Sequence, residues 1–506
     1  MRHALTAAQV REAEAAAIRG GCTLSDLQER AGSALAEVVQ AKAPEGRIVV
    51  VAGAGNNGGD GWVAARLLRG LGRDVLVLTV ADVGAQAAPA DAAARAAVDA
   101  GVEFEVPDSL ARAVVEFGHA DVIVDALLGI GLRGELRDPH ASLIEAILDA
   151  DAFVVSADVP SGVDGDTGAA PGAAVAADVT VTFSALKAGC VLQPGAALCG
   201  EVVVADVGVP AESLSPAGAL EVWDDEEYSD LLPPLALTAS KRSRGRVLVV
   251  GGAPGLTGAA CLAATGALRS GAGYVTVAVP APSLPVVEMK LTAPVKRALP
   301  ADASGALTAP AIEAVLSACE NADSVVLGPG LGRAGATAAA VRQLVRRIPV
   351  PLVIDADALF ALGHDLGPLA ERTAPTVLTP HAGEAARLLD SGPDVVDADR
   401  AAAVRALVRD GVVAVLKGPA TLIATAGRIV VNTNGGPGLA TLGTGDVLSG
   451  IIGTFLAQGV APLEAAALGV HVHGAAGDAA SADLTAVCCT SEDVVAYLPE
   501  AFAALL

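Results

Sequence analysis

The sequence predicts two successive α/β domains, each built on a largely parallel sheet. Three observations carry this. Short, near-continuous β-branched runs alternate with Ala-rich helical stretches along both halves of the 506 residues, the pattern of strands covered on both faces by helices. Glycine-rich turns follow several of those runs. A break at 209–245, mixing prolines, an acidic cluster and then a basic one, separates the halves. At about 100–200 residues per domain, the length allows two to four domains.

Composition narrows the class. Apolar residues make up 53% and aromatics only 2%, so the cores must be built from Ala, Val, Leu and Ile. The 57 glycines follow no strict period, which excludes a collagen-like chain. Mean hydropathy is positive, yet no uncharged apolar run approaches the roughly 18 residues a membrane helix needs. Net charge is −24, so the basic footprint of a nucleic-acid partner is missing. The seven cysteines are an odd number without C-x-x-C. That supports neither a disulfide framework nor a zinc site, and predicts a cytoplasmic protein. The opening "MRHALTAAQVREAEAAAIRGG" carries charges at Arg2, Arg11, Glu12, Glu14 and Arg19. These interrupt any secretory apolar region, and the stretch reads as an amphipathic helix.

In the first half the predicted strands are 47–53, 74–80, 122–129, 152–160, 179–183 and 202–208. "GAGNNGGDG" at 53–61 follows the first of them. Read as G-x-G-x-x-G through Gly53, Gly55 and Gly58, it is the dinucleotide fingerprint, a tight turn that sets backbone N–H groups and a helix N-terminus against a phosphate. Two further loops, "VDALLGIGLRGE" with Asp125 and "SADVPSGVDGDTG" with Asp158 and Ser161, also follow strands. In a doubly wound sheet such loops converge on one crevice. It would gather Asn57, Asp60, Asp125, Asp158 and Ser161, oxygens that suit a hard cation better than a hydride-transfer site. Each feature also has a purely structural explanation: the asparagines shape a turn, and the aspartates cap strand ends.

These three stretches together resemble the YjeF N-terminal family, the NAD(P)HX epimerases, over roughly residues 1–215. The resemblance implies a Rossmann-like fold and a substrate that is a nicotinamide cofactor hydrated at C6, whose R and S forms are interconverted. It implies substrate contacts at Asn56, Asn57, Gly58, Gly59 and Asp60, at Gly129, Ile130, Gly131, Leu132, Arg133, Gly134 and Glu135, and at Asp158. It implies potassium (K⁺) at Asn57, Asp125 and Ser161. Asp158 is the expected general acid/base, because epimerisation needs the C6–O bond loosened and remade.

In the second half the predicted strands are 246–252, 273–280, 324–332, 351–359, 375–384 and 412–424, with a long helical C-terminus after Gly445. "GTGD" precedes an apolar helix. Gly443 and Gly445 free the backbone to face an anion, and Asp446 sits within reach as a base, the combination that phosphoryl transfer to a hydroxyl requires. As a simple cap, Asp446 would not need glycines at both 443 and 445. Lys417 ends a strand, with Thr421 four residues on. His381 and Glu384 open a helix. No G-x-x-x-x-G-K-[ST] occurs, which excludes a P-loop nucleotidase.

The set from "RVLVVGGAPGLTGAACLAATGALRSGAGYVTVA" through "GPGLG", "VIDADAL", "TPHAGE" and "LKGPAT" to "GTGD" resembles the YjeF C-terminal family, the ADP/ATP-dependent NAD(P)H-hydrate dehydratases, over roughly residues 230–506. It implies a ribokinase-like α/β domain. Hydrate contacts are implied at Gly258, Ala259, Gly330, His381 and Asp446, and nucleotide contacts at Lys417, Gly418, Pro419, Ala420, Thr421 and Gly445. Asp446 would be the base, Mg²⁺ would bridge phosphates, and ADP or ATP would be the co-substrate. The chain departs from the family where Ser240 stands before Lys241 in place of the usual histidine.

The resulting expectation is an epimerase domain at 1–215, a linker at 216–240 and a dehydratase domain at 241–506. Together they would repair both epimers of NADHX and NADPHX, with neither nucleic acid nor membrane as partner and a homo-oligomer as the assembly. The alternative is a ribokinase-like small-molecule kinase with a fused regulatory domain. A third reading makes the first half a binding module without activity.

Overall fold

A computed structural model describes residues 1–506 apart from 87, 108 and 133. The chain divides into two compact units, Arg2–Glu221 and Val222–Leu506, the latter also including Met1.

The first unit holds a seven-stranded, all-parallel sheet. Its order is Glu103–Glu105, Val75–Thr79, Ile48–Ala52, Val122–Ala126, Phe153–Ala157, Val179–Phe183 and Glu201–Ala205. Every residue of Ile48–Ala52, Val75–Thr79 and Val122–Ala126 is buried, as helices on both faces require. Ala52 stands opposite Ala126, and Asp125 opposite Ser156. The carboxyl ends of the central strands therefore lie along one edge, and their loops share one crevice. Two elements depart from expectation. The polar strand Glu103–Glu105 carries no apolar run to announce it. The N-terminus is not helical throughout: Arg2–Leu5 is a strand paired in parallel with Leu186–Lys187. Helix Ala7–Arg19 begins only after Thr6, whose capping box with Gln9 fixes the boundary.

In the second unit, seven parallel strands run in the order Val295–Leu299, Tyr274–Pro280, Arg246–Val250, Ser324–Leu327, Leu352–Ile354, Thr376–Leu378 and Val412–Leu416. Two antiparallel strands, Thr421–Ala424 and Ile429–Asn432, extend the sheet. The stretch 412–424 is thus not one strand but a hairpin turning at 417–420, where Gly418 and Ala420 both take positive φ. The C-terminal helices are Thr444–Ala457, Pro462–Leu484 and Ser491–Leu505. The first packs on Thr257–Arg269 at glycines: a Cβ on Gly450 would collide with the Ala263 carbonyl oxygen, and one on Gly266 would lie 2.7 Å from that of Val447. Thr454 Oγ1 donates to the Ala267 carbonyl across the same crossing, at 3.1 Å. A core short of aromatic rings closes its gaps by bringing backbones together. The segment 216–240 contains the strand Leu220–Val222 and the helix Asp225–Asp230, whose Tyr228 is buried.

Candidate functional site

Each unit concentrates polar side chains at the carboxyl edge of its sheet. In the first, the turn after Ile48–Ala52 can be made only by glycines. A Cβ on Gly53 would strike the Leu127 carbonyl oxygen, and one on Gly58 the Gly53 carbonyl oxygen. Helix Asn56–Gly70 starts there with Gly55 as its cap and no capping side chain, so its first N–H groups keep no side-chain partner.

Asp125 is fully buried at the end of its strand. It accepts from Ser161 Oγ at 2.5 Å, Ser161 N at 2.8 Å and Ser156 Oγ at 2.9 Å. Burial pushes its carboxyl above the usual range, and these donors pull part of that back. Ser161 Oγ accepts from Leu128 N at 2.9 Å, and Asn57 Nδ2 donates to Leu128 O at 2.8 Å. Asn57, Asp125 and Ser161 therefore converge. Asn57 Oδ1 is buried with no hydrogen-bond partner. An amide oxygen left bare beside a carboxylate, a hydroxyl and a carbonyl is the donor set a monovalent hard cation takes, so the residues fit the expected potassium ion.

A second cluster lies at the end of the next strand. Asp158 has a φ of 67°, a strained position for a non-glycine residue. Its carboxylate is paired at 2.5 Å with Lys187, an ammonium only 1% exposed that also donates to Phe183 O at 2.5 Å. Asp60 is buried nearby. Desolvation first, then the charges of Asp158 and Glu14, push its carboxyl well above the carboxylate range, while Lys187 opposes them. Glu14 is raised by burial and Asp158 in the same way. Lys187 and Glu14 were not anticipated from sequence. Lys187 follows the buried run "VTVTF" and reads as a loop lysine until its burial is seen; Glu14 sits in a helix that offers no motif. Gly129, Ile130 and Leu132 are half-buried at the head of their loop, Gly131, Gly134 and Glu135 are exposed, and Arg133 lies outside the described residues.

In the second unit, loops after five parallel strands meet. Gly330, at φ 59°, lies against the start of helix Thr257–Arg269: a Cβ on it would sit 3.0 Å from that of Ala259. Gly258 opens the same helix. Lys417 Nζ donates to Asp355 Oδ1 at 3.0 Å, and Thr379 Oγ1 donates to the same oxygen at 2.8 Å. Lys417 N donates to Pro380 O at 2.8 Å, which ties the lysine strand to His381. The ammonium also reaches Gly445, where a Cβ would lie 3.1 Å from Nζ. Burial pulls the Lys417 ammonium toward a lower pKa. The carboxylates of Asp355, Glu384 and Asp446 outweigh it and hold the ammonium above its ordinary range.

Helix Thr444–Ala457 begins at Gly443, φ 94°, without a side-chain cap. Asp446, in its first turn, is pushed up to about 7, mainly by burial and then by Asp355, while Lys417 opposes the rise. A carboxyl poised near neutrality beside uncapped backbone N–H groups is an arrangement able to take a proton and to hold an anion. His381 caps helix Ala382–Leu388 through Nδ1, and Glu384 Oε2 accepts from His381 N at 2.9 Å. Residues 418–420 form the hairpin turn next to Lys417, with Pro419 exposed, and Thr421 opens the strand that follows. Asp355 and Asp357, within "VIDADAL", carry no motif of their own: Asp355 follows the strand Leu352–Ile354, and Asp357 opens the helix Asp357–Leu362. His473 was missed too. Burial pushes its imidazole down to about 4, and Nε2 has no partner. Among the described residues, no group of three His, Cys, Asp or Glu side chains could by itself hold a metal ion. Magnesium brought in on nucleotide phosphates needs only one or two carboxylates, and Glu384, whose charge acts on both Lys417 and Asp446, fits that requirement.

Comparison with known proteins agrees with this division. The YjeF-related N-terminal family matches residues 24–189, and the NAD(P)H-hydrate dehydratase family matches 247–500. The bifunctional NAD(P)H-hydrate repair enzyme of Moorella thermoacetica is 38% identical over 487 residues, covering 94% of this chain and 91% of that one. The Escherichia coli enzyme of the same name is 37% identical over 475 residues, covering 93% and 88%. The ADP/ATP-dependent NAD(P)H-hydrate dehydratase of Bacillus subtilis, crystallised with ATP and Mg²⁺, superposes with a TM-score of 0.50 at 26% identity, covering 57% of this chain and 99% of that one. The chain belongs to the family of bifunctional NAD(P)H-hydrate repair enzymes.

Proposed function

We propose that the first unit epimerises C6-hydrated NADH and NADPH and that the second uses ADP or ATP to dehydrate the S form, restoring the reduced cofactor. The observation that carries the second assignment is Asp446, held near neutrality beside Lys417 and an uncapped helix start. Asp446 takes the proton from the C6 hydroxyl as that oxygen attacks the terminal phosphorus of the nucleotide. The bond to the nucleotide breaks, giving AMP from ADP, and the N–H groups at 443–446 hold the charge that develops. The C6–O bond of the phosphate ester then breaks with its electron pair on the phosphate, the departing phosphate takes the proton from C5, and inorganic phosphate leaves. Bound magnesium supplies charge neutralisation on the phosphates. Lys417, fixed by Asp355, holds a phosphate oxygen, and His381 and Gly330 frame the ring.

In the first unit Asp158 exchanges the proton with the C6 oxygen as the C–O bond opens and re-forms on the other face. Lys187 holds its carboxylate in place. Burial pushes the Asp60 carboxyl well above the carboxylate range, which favours its neutral form and limits the negative charge of the cluster. Potassium at Asn57, Asp125 and Ser161 would supply a fixed positive charge near the diphosphate.

The test is the fate of phosphate. With NADH hydrate and ADP, released inorganic phosphate should equal the NADH restored, one for one. A stable phosphorylated product without NADH would replace this reading with a small-molecule kinase.

A further inference from the structure

We propose that a cleft at the amino edge of the second sheet is a nucleotide site separate from the carboxyl-edge site above, with phosphates held by Lys241, Arg242 and Arg297 and the base stacked on Tyr274. The cleft has a volume of about 360 Å³, within the roughly 300–1,000 Å³ that encloses a small-molecule ligand. Its floor is sheet. Arg246, Tyr274 and Val295 are the first residues of three neighbouring parallel strands. Arg246 stands beside Tyr274, Thr276 beside Val295 and Ala278 beside Arg297. The period of two therefore puts Arg246, Tyr274, Thr276, Val295 and Arg297 on one face. Ala318 and Asn321, at the end of helix Pro310–Cys319, wall that face, and the turn at 241–244 adds Lys241 and Arg242. The strand Arg246–Val250 is about 15 Å long at about 3.3 Å per residue. The cleft and the loops around Asp446 lie at opposite ends of such strands.

The charge of the cleft is the reverse of the chain's. Lys241, Arg242, Arg246 and Arg297 line it and no carboxylate does, in a chain with 57 acidic and 33 basic residues. The carboxylates that flank these elements are engaged or lie outside. Arg246 holds Asp323 in a fork, Nη2–Oδ1 at 2.6 Å and Nε–Oδ2 at 3.0 Å. Glu288 is paired with Lys296 at 3.7 Å, and Glu320 is exposed outside the lining. Lys241, Arg242 and Arg297 are exposed, and among the described residues none of them has an ion-pair partner. Three uncompensated cations around one cavity repel one another, and an anion carrying several charges relieves that repulsion. Guanidinium forks suit the oxygens of a phosphate. Tyr274 supplies the organic half of the argument. It is one of three tyrosines in the chain, and it is 40% exposed. Its ring gives a base a stacking face, and Thr276 and Asn321 offer a hydroxyl and an amide beside it. An inorganic polyphosphate would use the cations alone. The basic cluster that closes the break at 209–245 thus gains a ligand.

Calorimetric titration of the full chain with ATP, counting molecules bound per chain, tests this, and the count does not depend on the dehydratase reading. The wild-type protein should bind one more ATP than the double variant Arg242→Gln/Arg297→Gln, or bind it at the extra site about tenfold or more tightly. KM for ADP in dehydration should stay within about twofold. Tyr274→Ala should weaken the extra ATP by about fivefold or more and leave binding of inorganic tripolyphosphate unchanged. If the double variant melts early, Arg297→Gln alone, at an exposed position of an edge strand, takes its place. Equal stoichiometry and affinity in the wild type and a folded arginine variant overturn the site. A parallel rise in KM for ADP overturns its separation from the carboxyl-edge site. ATP binding unmoved by Tyr274→Ala overturns the nucleotide as the ligand.

Discussion

Asp446 is the residue we propose as the base of the dehydration, and its titration can be read in two ways. Its carboxyl is raised from 3.8 to about 7 in the folded chain. As a base it works only when ionised, so the dehydration rate should climb with pH through about 7 and fall away below it. Asp446→Asn should cut the rate by about 10²–10⁴-fold and abolish that limb. Stability has the opposite sign. The folded state keeps a proton that the unfolded chain has lost, so the second unit loses stability as pH rises from about 4 to about 7. Asp446→Asn should therefore stabilise at pH 8, by on the order of 1–4 kcal/mol, and do little at pH 4; chemical unfolding at the two pH values checks it. In the first unit, Asp158→Asn should slow epimerisation by about 100-fold or more, while Asp60→Asn, which mimics a carboxyl that keeps its proton, should cost under about tenfold. Equal losses would move the proton exchange from Asp158 to Asp60.

At the scale of elements, the strand-end loops do the positioning and glycines set the distances. Gly450→Ala, at the crossing of Thr444–Ala457 with Thr257–Arg269, should destabilise by about 1–3 kcal/mol through overpacking and displace the helix start that carries Asp446. A lower melting temperature together with a lower kcat would show both. Asn57→Ala removes the unpaired amide oxygen, so any stimulation of epimerisation by K⁺ over Na⁺ should vanish, while Ser142→Ala, outside this cluster, leaves it. Much of this scale was legible in the sequence. β-branched runs bounded by glycine give strands, and strand-end Asp, Asn and His residues give the crevice edges. The missed pieces share a physical cause. Arg2–Leu5 and Glu103–Glu105 are too short or too polar to show a period of two, and exist because a neighbouring strand offers its edge. Lys187, Glu14 and His473 carry no local signal, because only tertiary burial changes what their charge costs.

Across the whole molecule, each unit carries one of the two proposed reactions, and the two serve a substrate that arises as two epimers. Each half should then fail separately. Asp446→Asn should leave epimerisation intact, and Asp158→Asn should leave dehydration of the S form intact. The measurement that tests this most directly is recovery of NADH absorbance from a mixture of both NADH-hydrate epimers, with excess ADP and Mg²⁺. The account predicts that the wild-type protein restores the whole mixture, and that Asp158→Asn restores only the S share before stalling. A wild-type protein that also stalled at the S share, or an Asp158→Asn variant that ran to completion, would contradict it.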